Sequence, residues 1–442
     1  IGNRCHCYDA ETNLVTENGI KSFKDVRIGD KVWTLNKNKG LELNRIKKRF
    51  EYDFEGKVVS FKNKTINLCV TPNHRIYYQK KEDNDSNEFY VKNAEKFLTG
   101  KKTLRKIPVI GNWLGGESLI FPKISLNTNS KPFTRNLESL IRLIGWYVSE
   151  GCVDKDKTAR FNQIRISNTQ NNYLEEIIDI FNDLGIQAKI QRNTFTGVRA
   201  TNLELAEFLS KFGTNTKNKK ITRDILGLSK HYLELLFECM MKGDGSRCGR
   251  KNWVYYSTTS ETLKDNFVEI CLKLGKSPYI NVRNSQKSII RGRKIIGSKI
   301  WIIRVRHSPK GYFREDQITK KDYRGKVWCV ETENHNLFIE RSGRIACSGN
   351  SMPELVIEGK TGLICETDKG WWRNLGGYIY PPNVDSLYEK MEESFKMSQD
   401  KDTAKLCRKN IMDNYNIDTL VETKWKPFLA EIETEIAEEN KK

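Results

Sequence analysis

The stretch from His335 to Ser351, HNLFIERSGRIACSGNS, ends in an Asn followed by a hydroxyl residue, and the chain changes character directly after it. Far upstream, Cys7 opens CYDAETNLVTENG and His74 lies in TPNHRIYY. An Asn beside a Ser, a distant Cys and two His are parts suited to rearranging peptide bonds. Residues 7–350 read as one element set into a host, with 1–6 and 351–442 as its flanks.

Charge supports that division. The chain has 442 residues and a net charge of +20. Residues 351–442 hold 13 Lys+Arg against 18 Asp+Glu, a net of −5, so residues 1–350 carry +25. A basic body joined to a mildly acidic tail points to a polyanionic partner for the first part, nucleic acid ahead of a merely solvated basic surface. No run of about 18 apolar residues exists, so no membrane span is expected. The chain begins at Ile1 without Met or a leader, which reads as a fragment. Its eleven Cys are scattered, and no second close pair joins Cys5 and Cys7 to complete a zinc set. A monomer in the cytoplasm, with reduced cysteines, is the expectation.

From Cys7 to about Lys80 short β-rich runs (NLVTENG, KVWTLN, GKVVSF, INLCVTPNHRIYY) alternate with turn signals, predicting a compact all-β unit. Near Leu140 the pattern turns helical. LIRLIGWYVSEG ends at Gly151 and YLELLFECMMKGDGS ends at Gly245-Ser246. Each is apolar almost all round, so each is expected to be a buried helix. The segments after these glycines also repeat. FNQIRISNTQNNYLEEIIDIFNDLGI and WVYYSTTSETLKDNFVEICLKLG share the plan strand, turn, amphipathic helix, Leu-Gly. The basic strands AKIQRN and KIWIIRVRH are expected to follow the two helices. Past Arg324 the β pattern returns in GKVWCVETENHNLFIE and GRIACSGN. One β domain interrupted by an α/β insertion explains this order.

The peptide chemistry needs a nucleophile that can take over the amide on its own N side. Cys7 suits this, since a thiolate is intrinsically nucleophilic and a thioester is easily attacked. Cys5 is a rival, but the Thr-x-Leu-Val spacing counts back to Cys7. His74 is the candidate acid/base near that amide, and Thr71 can polarise the same carbonyl. Ser351 is the acyl acceptor. Asn350 can attack its own carbonyl and cyclise, with His335 assisting.

CYDAETNLVT, TPNHRIY, VWCVETENHNLFI and RIACSGN-Ser resemble the splicing motifs of an intein, the self-excising protein element with the Hint fold. The resemblance covers 7–350. It implies an N-to-S acyl shift at Cys7, transesterification to Ser351, cyclisation of Asn350 and an O-to-N shift that joins the flanking segments, with no cofactor. Two positions depart from the pattern: Gly349 stands where the family usually has His, and Cys329 where many members have Asp.

Cleaving a phosphodiester at neutral pH suits carboxylates that hold Mg²⁺ beside the phosphate. Two buried helices side by side can each place one acid, Glu150 and Asp244, at adjacent ends, with Gly145 and Gly243 permitting close approach. LIGWYVSEG and FECMMKGDG resemble the paired helices of double-motif LAGLIDADG (DOD-type) homing endonucleases. That resemblance implies Glu150 and Asp244 as metal ligands, a saddle of two β-sheets over a long DNA site, and a catalytic lysine in NTKNKKITRDIL, where Lys219 and Lys220 are the candidates.

After Ser351, SMPELVIEGKTGLI resembles the donor-side segment of retaining GT-B glycosyltransferases, through Glu354 and Thr361-Gly362. The expected architecture is therefore multi-domain. Residues 1–6 are a flank remnant. An all-β Hint domain (7–134 and 307–350) is split by an α+β LAGLIDADG endonuclease domain (135–306). An α/β GT-B fragment (351–442) follows.

Overall fold

Turn-bounded runs of β-branched and aromatic residues build the first part of the chain as strands. The computed structural model describes residues 7–80, 90–117, 136–155, 161–193, 195–248, 253–285, 287–290, 293–306, 310–349, 363, 371–373, 377–379 and 384–414. The chain divides into two units, His6–Ser351 and a second made of Ile1–Cys5 with Met352–Lys442. In the larger unit the strands Tyr8–Asp9, Thr319–Glu331, Lys48–Lys62 and Asn67–Val70 close a barrel. Its longest pair runs antiparallel from Lys48↔Glu331 to Ser60↔Thr319. Tyr8 pairs with Trp328 on one side and Val70 on the other, so the two ends of the unit share one barrel.

Asn336–Arg341 and Arg344–Gly349 form a hairpin. Its two-residue turn has positive φ at both centres, 49° at Ser342 and 81° at Gly343, as the twist of tight hairpins requires. A Cβ at Gly343 would lie 2.0 Å from the Ile280 carbonyl oxygen, so only glycine fits there.

Among the described residues the insertion holds six helices: α1 (Leu137–Glu150), α2 (Asn171–Asp183), α3 (Leu203–Ser210), α4 (Arg223–Leu226), α5 (Lys230–Gly243) and α6 (Glu261–Lys273). The Asn136 side chain caps α1 by accepting the Ser139 N–H, and the Ser260 hydroxyl caps α6 by accepting that of Leu263. α1 and α5 are the two helices expected to be buried. They touch where side chains are missing. A Cβ on Gly145 would come within 2.7 Å of Cys239 Cβ, and one on Gly243 within 2.6 Å of Ser149 Cβ. That approach brings the C-terminal ends of α1 and α5 together.

Two four-stranded arrangements flank the helices. The first has the order Gly151–Lys155, Phe161–Ser167, Gly197–Thr201, Ala188–Gln191; the second, Gly245–Cys248, Trp253–Thr258, Ile300–Arg306, Ser277–Arg283. The duplication is thus real, but one expected correspondence is corrected. The partner of AKIQ is SPYINVR, directly after α6, and IWIIRVR corresponds to GVRAT. Periodicity sees the more basic strand first, whereas sheet order decides which strand is equivalent.

The β domain and the insertion are not separate bodies. The second four-stranded set continues through Ser277–Arg283 into Arg344–Gly349, Asn336–Arg341, Asn13–Thr16, Lys31–Leu35 and Leu41–Arg45 as one sheet. The join is narrow: Tyr279 pairs with Arg344, and the Ile280 N–H donates to the Gly343 carbonyl at 2.8 Å. Behind it, Val15, Trp33, Leu35, Phe338 and Ile345 belong to the same apolar core as α1, α5 and α6. Lys273 of α6 is buried in that core. Its ammonium pairs with Glu269 at 2.6 Å, donates to the Leu226 carbonyl and lies 4.9 Å and 4.0 Å from the ring centres of Trp33 and Trp113.

In the smaller unit Trp371–Arg373 pairs with Gly377–Ile379, and two helices come next, α7 (Val384–Ser398) and α8 (Lys401–Asn414). Glu354 and Thr361-Gly362, on which the glycosyltransferase likeness rests, lie outside the described residues. Among the described residues no helix is long and apolar enough to cross a membrane.

Candidate functional sites

The first site forms where the Tyr8–Asp9 strand, the turn after Asn67–Val70 and the end of Arg344–Gly349 converge. The Cys7 N–H donates to Thr71 Oγ1 at 3.0 Å, and the Thr71 N–H donates to the Cys7 carbonyl at 3.0 Å. Thr71 therefore grips the amide nitrogen and the carbonyl of Cys7; the carbonyl of residue 6, which it is expected to polarise, lies outside the described residues. His74 is fully buried, and its Nε2 lies 3.0 Å from Ser348 Oγ. Its ring packs against Tyr8 with centroids 4.5 Å apart. The Tyr8 hydroxyl in turn donates to the Gly349 carbonyl. Burial raises the Tyr8 pKa, so the phenol stays protonated and able to donate.

His335 precedes Asn336, which pairs with Gly349. It is held at φ 52°, and its buried Nδ1 has no hydrogen-bond partner. Burial, with Lys47 and Arg75 nearby, lowers its pKa, leaving a neutral imidazole at pH 7. Asn350 and Ser351 lie outside the described residues. Cys7 is disulfide-bonded, to a partner outside the residues whose side chains are described. Cys329 is a fully buried thiol in the barrel.

Gly349 has a steric reason. A Cβ there would lie 2.7 Å from the Arg75 carbonyl oxygen and 2.9 Å from Arg75 Cβ. The strand reaches the site only because it carries no side chain at that point. Sequence reasoning does not single out Tyr8 or Ser348. Tyr8 is adjacent to Cys7, but nothing in the spacing marks its hydroxyl as reaching a residue 341 positions away.

Arg341 braces this site from behind. Its guanidinium meets both Asp9 oxygens and Asn67 Oδ1, and also Glu11 at 2.7 Å. The fork geometry fixes the 336–341 strand to the Tyr8–Asp9 strand.

The second site lies at the meeting ends of α1 and α5. A Cβ on Gly243 would stand 3.2 Å from Glu150 Cγ, which places Asp244 beside Glu150. Burial raises both carboxyls. That of Asp244 is pushed up to about 7, first by burial and then by the Glu150 charge, against the pull of Lys219. Lys219 is buried here, and burial brings its pKa down to about 7. Its ammonium donates to the carbonyls of Tyr147 at 2.9 Å and Gly151 at 2.8 Å, and lies 3.4 Å from the Tyr147 ring centre. Lys220 is exposed and turned away, so of the two candidate lysines only Lys219 enters the site. Two partly buried carboxyls, with the charge of Glu150 raising Asp244, suit a divalent cation, which removes the repulsion. On the nuclease expectation drawn from the sequence, replacing Lys219 by Met lowers DNA cleavage by about 10²- to 10⁴-fold, the usual contribution of a general acid or base. Lys220→Met is expected to change little, as plasmid nicking will read.

Residues 137–213 match the family model described as a LAGLIDADG-like domain. The matched span runs from α1 through the first four-stranded sheet to α3. Among curated proteins, the chain is 22% identical over 361 residues to an ATP-dependent Clp protease proteolytic subunit of Chlamydomonas moewusii, covering 76% of this chain and 35% of that protein. It is 22% identical over 403 residues to a DNA-directed RNA polymerase subunit beta C-terminal section of Stigeoclonium helveticum, covering 79% and 37%. The chain thus spans about a third of the length of these relatives. Among solved structures, a variant of the homing endonuclease I-DmoI with its target DNA and manganese gives 12% identity and a TM-score of 0.29, covering 38% of this chain and 87% of that one. An AceL NrdHF class 3 split intein gives 20% identity and a TM-score of 0.21, covering 24% and 66%.

Proposed function

We propose that residues 7–350 excise themselves from a host protein and carry a metal-dependent endonuclease that cuts double-stranded DNA. The observation that carries this reading is the contact of the Tyr8 hydroxyl with the Gly349 carbonyl. It puts the residues beside both cut points in one buried cluster. The division of the chain, with 1–5 grouped with 352–442, supports the same reading. So do the relatives, whose names describe unrelated enzymes although about three quarters of this chain matches each.

In the first step the Cys7 thiolate attacks the carbonyl of residue 6. The C–N bond breaks, and the amine released, held by Thr71 Oγ1, takes a proton supplied by His74. Ser351 Oγ then attacks the thioester and the Cys7 sulfur leaves. The Asn350 side-chain amide attacks its own main-chain carbonyl, breaking the bond to Ser351, with His335 as base. Finally the freed Ser351 amine attacks the ester carbonyl, and an amide joins the flanks.

In the nuclease, Glu150 and Asp244 would hold a divalent cation, Mg²⁺ on the sequence reading. The cation supplies charge neutralisation and Lewis acidity when bound. Lys219 moves a proton near the phosphate, its lowered pKa matching neutral pH. The host is a glycosyltransferase on the strength of 351–442.

A disulfide sulfur cannot attack, so excision requires reduction of Cys7. The chain is purified oxidised and treated with a phosphine, and its mass is followed. We expect an intact precursor before treatment, and afterwards a free insert of 7–350 with the joined flanks. Cys7→Ala combined with Asn350→Ala is expected to remove both products. A reduced chain that stays full-length would favour the second reading, a DNA-binding nuclease on a splicing-impaired scaffold. That reading is motivated by Gly349 and by the disulfide at Cys7.

A further inference from the structure

We infer that Ser348 is a positioning residue for the first cut: by receiving the Nε2 proton of His74, it lets the strand that leads to the far cut fix the tautomer of the acid/base at the near one. This rests on the proposed excision and adds an order to its steps.

The geometry is a row of buried polar groups. His74, Ser348 and Tyr8 are each 1% exposed or less. Ser348 Oγ lies 3.0 Å from His74 Nε2. The His74 ring rests on that of Tyr8, and the Tyr8 hydroxyl meets the carbonyl of Gly349, the residue after Ser348. Ser348 Oγ is thus held between imidazole and phenol, and it is also a hydrogen-bond partner of the Tyr8 hydroxyl. Each member is anchored on a different element. Tyr8 pairs with Trp328 and Val70 in the barrel, and Ser348 pairs with Leu337 in the last hairpin. The His74 N–H donates to the Thr71 carbonyl at 3.0 Å, and its own carbonyl accepts the Ala94 N–H at 2.8 Å.

The protons of this row can be ordered in only one way. A carbonyl oxygen accepts and never donates, so the Tyr8 hydroxyl commits its proton to Gly349. The phenol oxygen then accepts from Ser348. The Ser348 hydroxyl, with its proton on Tyr8, accepts from His74. Nε2 therefore carries the proton, and neutral His74 has its lone pair on Nδ1. This is the tautomer that the first step needs. Nδ1 takes the Cys7 thiol proton as the sulfur attacks the carbonyl of residue 6. It returns that proton to the amine as the C–N bond breaks, so His74 ends the step as it began. Between the two transfers the Ser348 oxygen stabilises the imidazolium by accepting from Nε2. The opposite tautomer would present an N–H to the thiol and could not take its proton. Because the row ends on the carbonyl of residue 349, the acid/base is set only while Arg344–Gly349 is seated. The near cut thus waits until the far end is in place, which keeps the precursor from being severed before its flanks can be joined.

The test has two arms. A chain carrying Cys7→Ala, unable to begin excision, is labelled with nitrogen-15 in its five histidines, and His74→Gln identifies the His74 signals. Long-range proton–nitrogen correlation then shows which ring nitrogen bears hydrogen. We expect Nε2–H in this parent, and a mixed or Nδ1–H population after Ser348→Ala or Tyr8→Phe. In the second arm Cys7 is kept, Asn350→Ala and Ser351→Ala stop the chain at the thioester, and a phosphine reduces it. Excess dithiothreitol intercepts the thioester and releases residues 1–6, followed by mass. Ser348→Ala and Tyr8→Phe are each expected to slow release about ten- to a hundredfold, the effect of losing a hydrogen bond to an ionised group. His74 as Nδ1–H in the parent overturns this inference, as does parent-like release in both variants. Slowed release with His74 still wholly Nε2–H in both variants assigns the loss to packing and overturns it too. These three outcomes leave the excision reading standing. A parent that never releases residues 1–6 overturns both.

Discussion

Replacing Asp244 by Asn is expected to abolish DNA cleavage and, in the same protein, to raise the metal-free melting temperature at pH 8. The two effects have one origin. Burial, then the Glu150 charge, pushes the Asp244 carboxyl up to about 7, well above its ordinary value. Between the unfolded and folded pKa values the native state keeps a proton that the unfolded chain has lost. Stability from this group is therefore fully present at acid pH and is lost as pH rises through about 7. At pH 8 the native protein holds an ionised, partly buried carboxylate beside a second one. Asparagine has the same shape without the charge, so the variant escapes that cost, and its advantage over wild type should widen from pH 4 to pH 8. Magnesium should reverse the order by stabilising the wild type alone.

Cleavage is expected to fall by more than the roughly 100-fold that loss of an outer partner of a metal ligand costs. The substrate is a plasmid carrying the coding sequence of the joined flanks, and calorimetry with and without Mg²⁺ supplies the melting temperatures. A variant that melts below wild type in metal-free buffer at pH 8 would falsify the assignment of Asp244 as a strained metal ligand.

The second large effect concerns Gly349. Placing a histidine at this position is expected to block release of the far end in the proposed excision. The Cβ alone would press on the Arg75 carbonyl oxygen at 2.7 Å. To make room, Arg344–Gly349 must leave its contact with Tyr8 or the Arg75 strand must move. Overpacking of this kind costs about 1–3 kcal/mol, enough to slow a geometry-dependent cyclisation about ten- to a hundredfold. Gly349→Ala should show much of the same loss, because the obstruction is the first carbon. The masses of reduced Gly349→His and Gly349→Ala chains report it directly, as species still joined at 350–351. Faster release in Gly349→His would mean that the strand yields and that His335 is not the helper.

Much of the site is legible because its residues sit in short local patterns. Cys7, Thr71 and His74 each occupy the end of a strand run with turn signals beside it, and the fold brings those ends together. The helix pair is legible because each helix ends in an acid followed by glycine; α1 is apolar nearly all round as expected, whereas α5 is buried on one face only and exposes Lys230, His231, Glu234 and Glu238 on the other. Other parts carry no such mark. Tyr8 and Ser348 act through single hydroxyls whose partners are more than 270 positions away. Lys219 and Lys220 are neighbours of the same type, and only burial separates them. The union of the two modules depends on one strand edge and on Gly343, which no periodicity encodes. The equivalence of SPYINVR with AKIQ escapes a linear reading for a related reason: strand order in a sheet is a long-range property.

The shared sheet and the Trp33–Lys273–Trp113 stack bear on how such an element can age. A descendant that shed residues 137–306 would inherit an orphaned carbonyl at Gly343 and a Trp33–Trp113 pair that has lost the Lys273 ammonium between its rings. Streamlining is then a repair problem. Residues at those two spots must change before, or together with, the deletion, and a shortened lineage would carry polar or bulky replacements there as its scar.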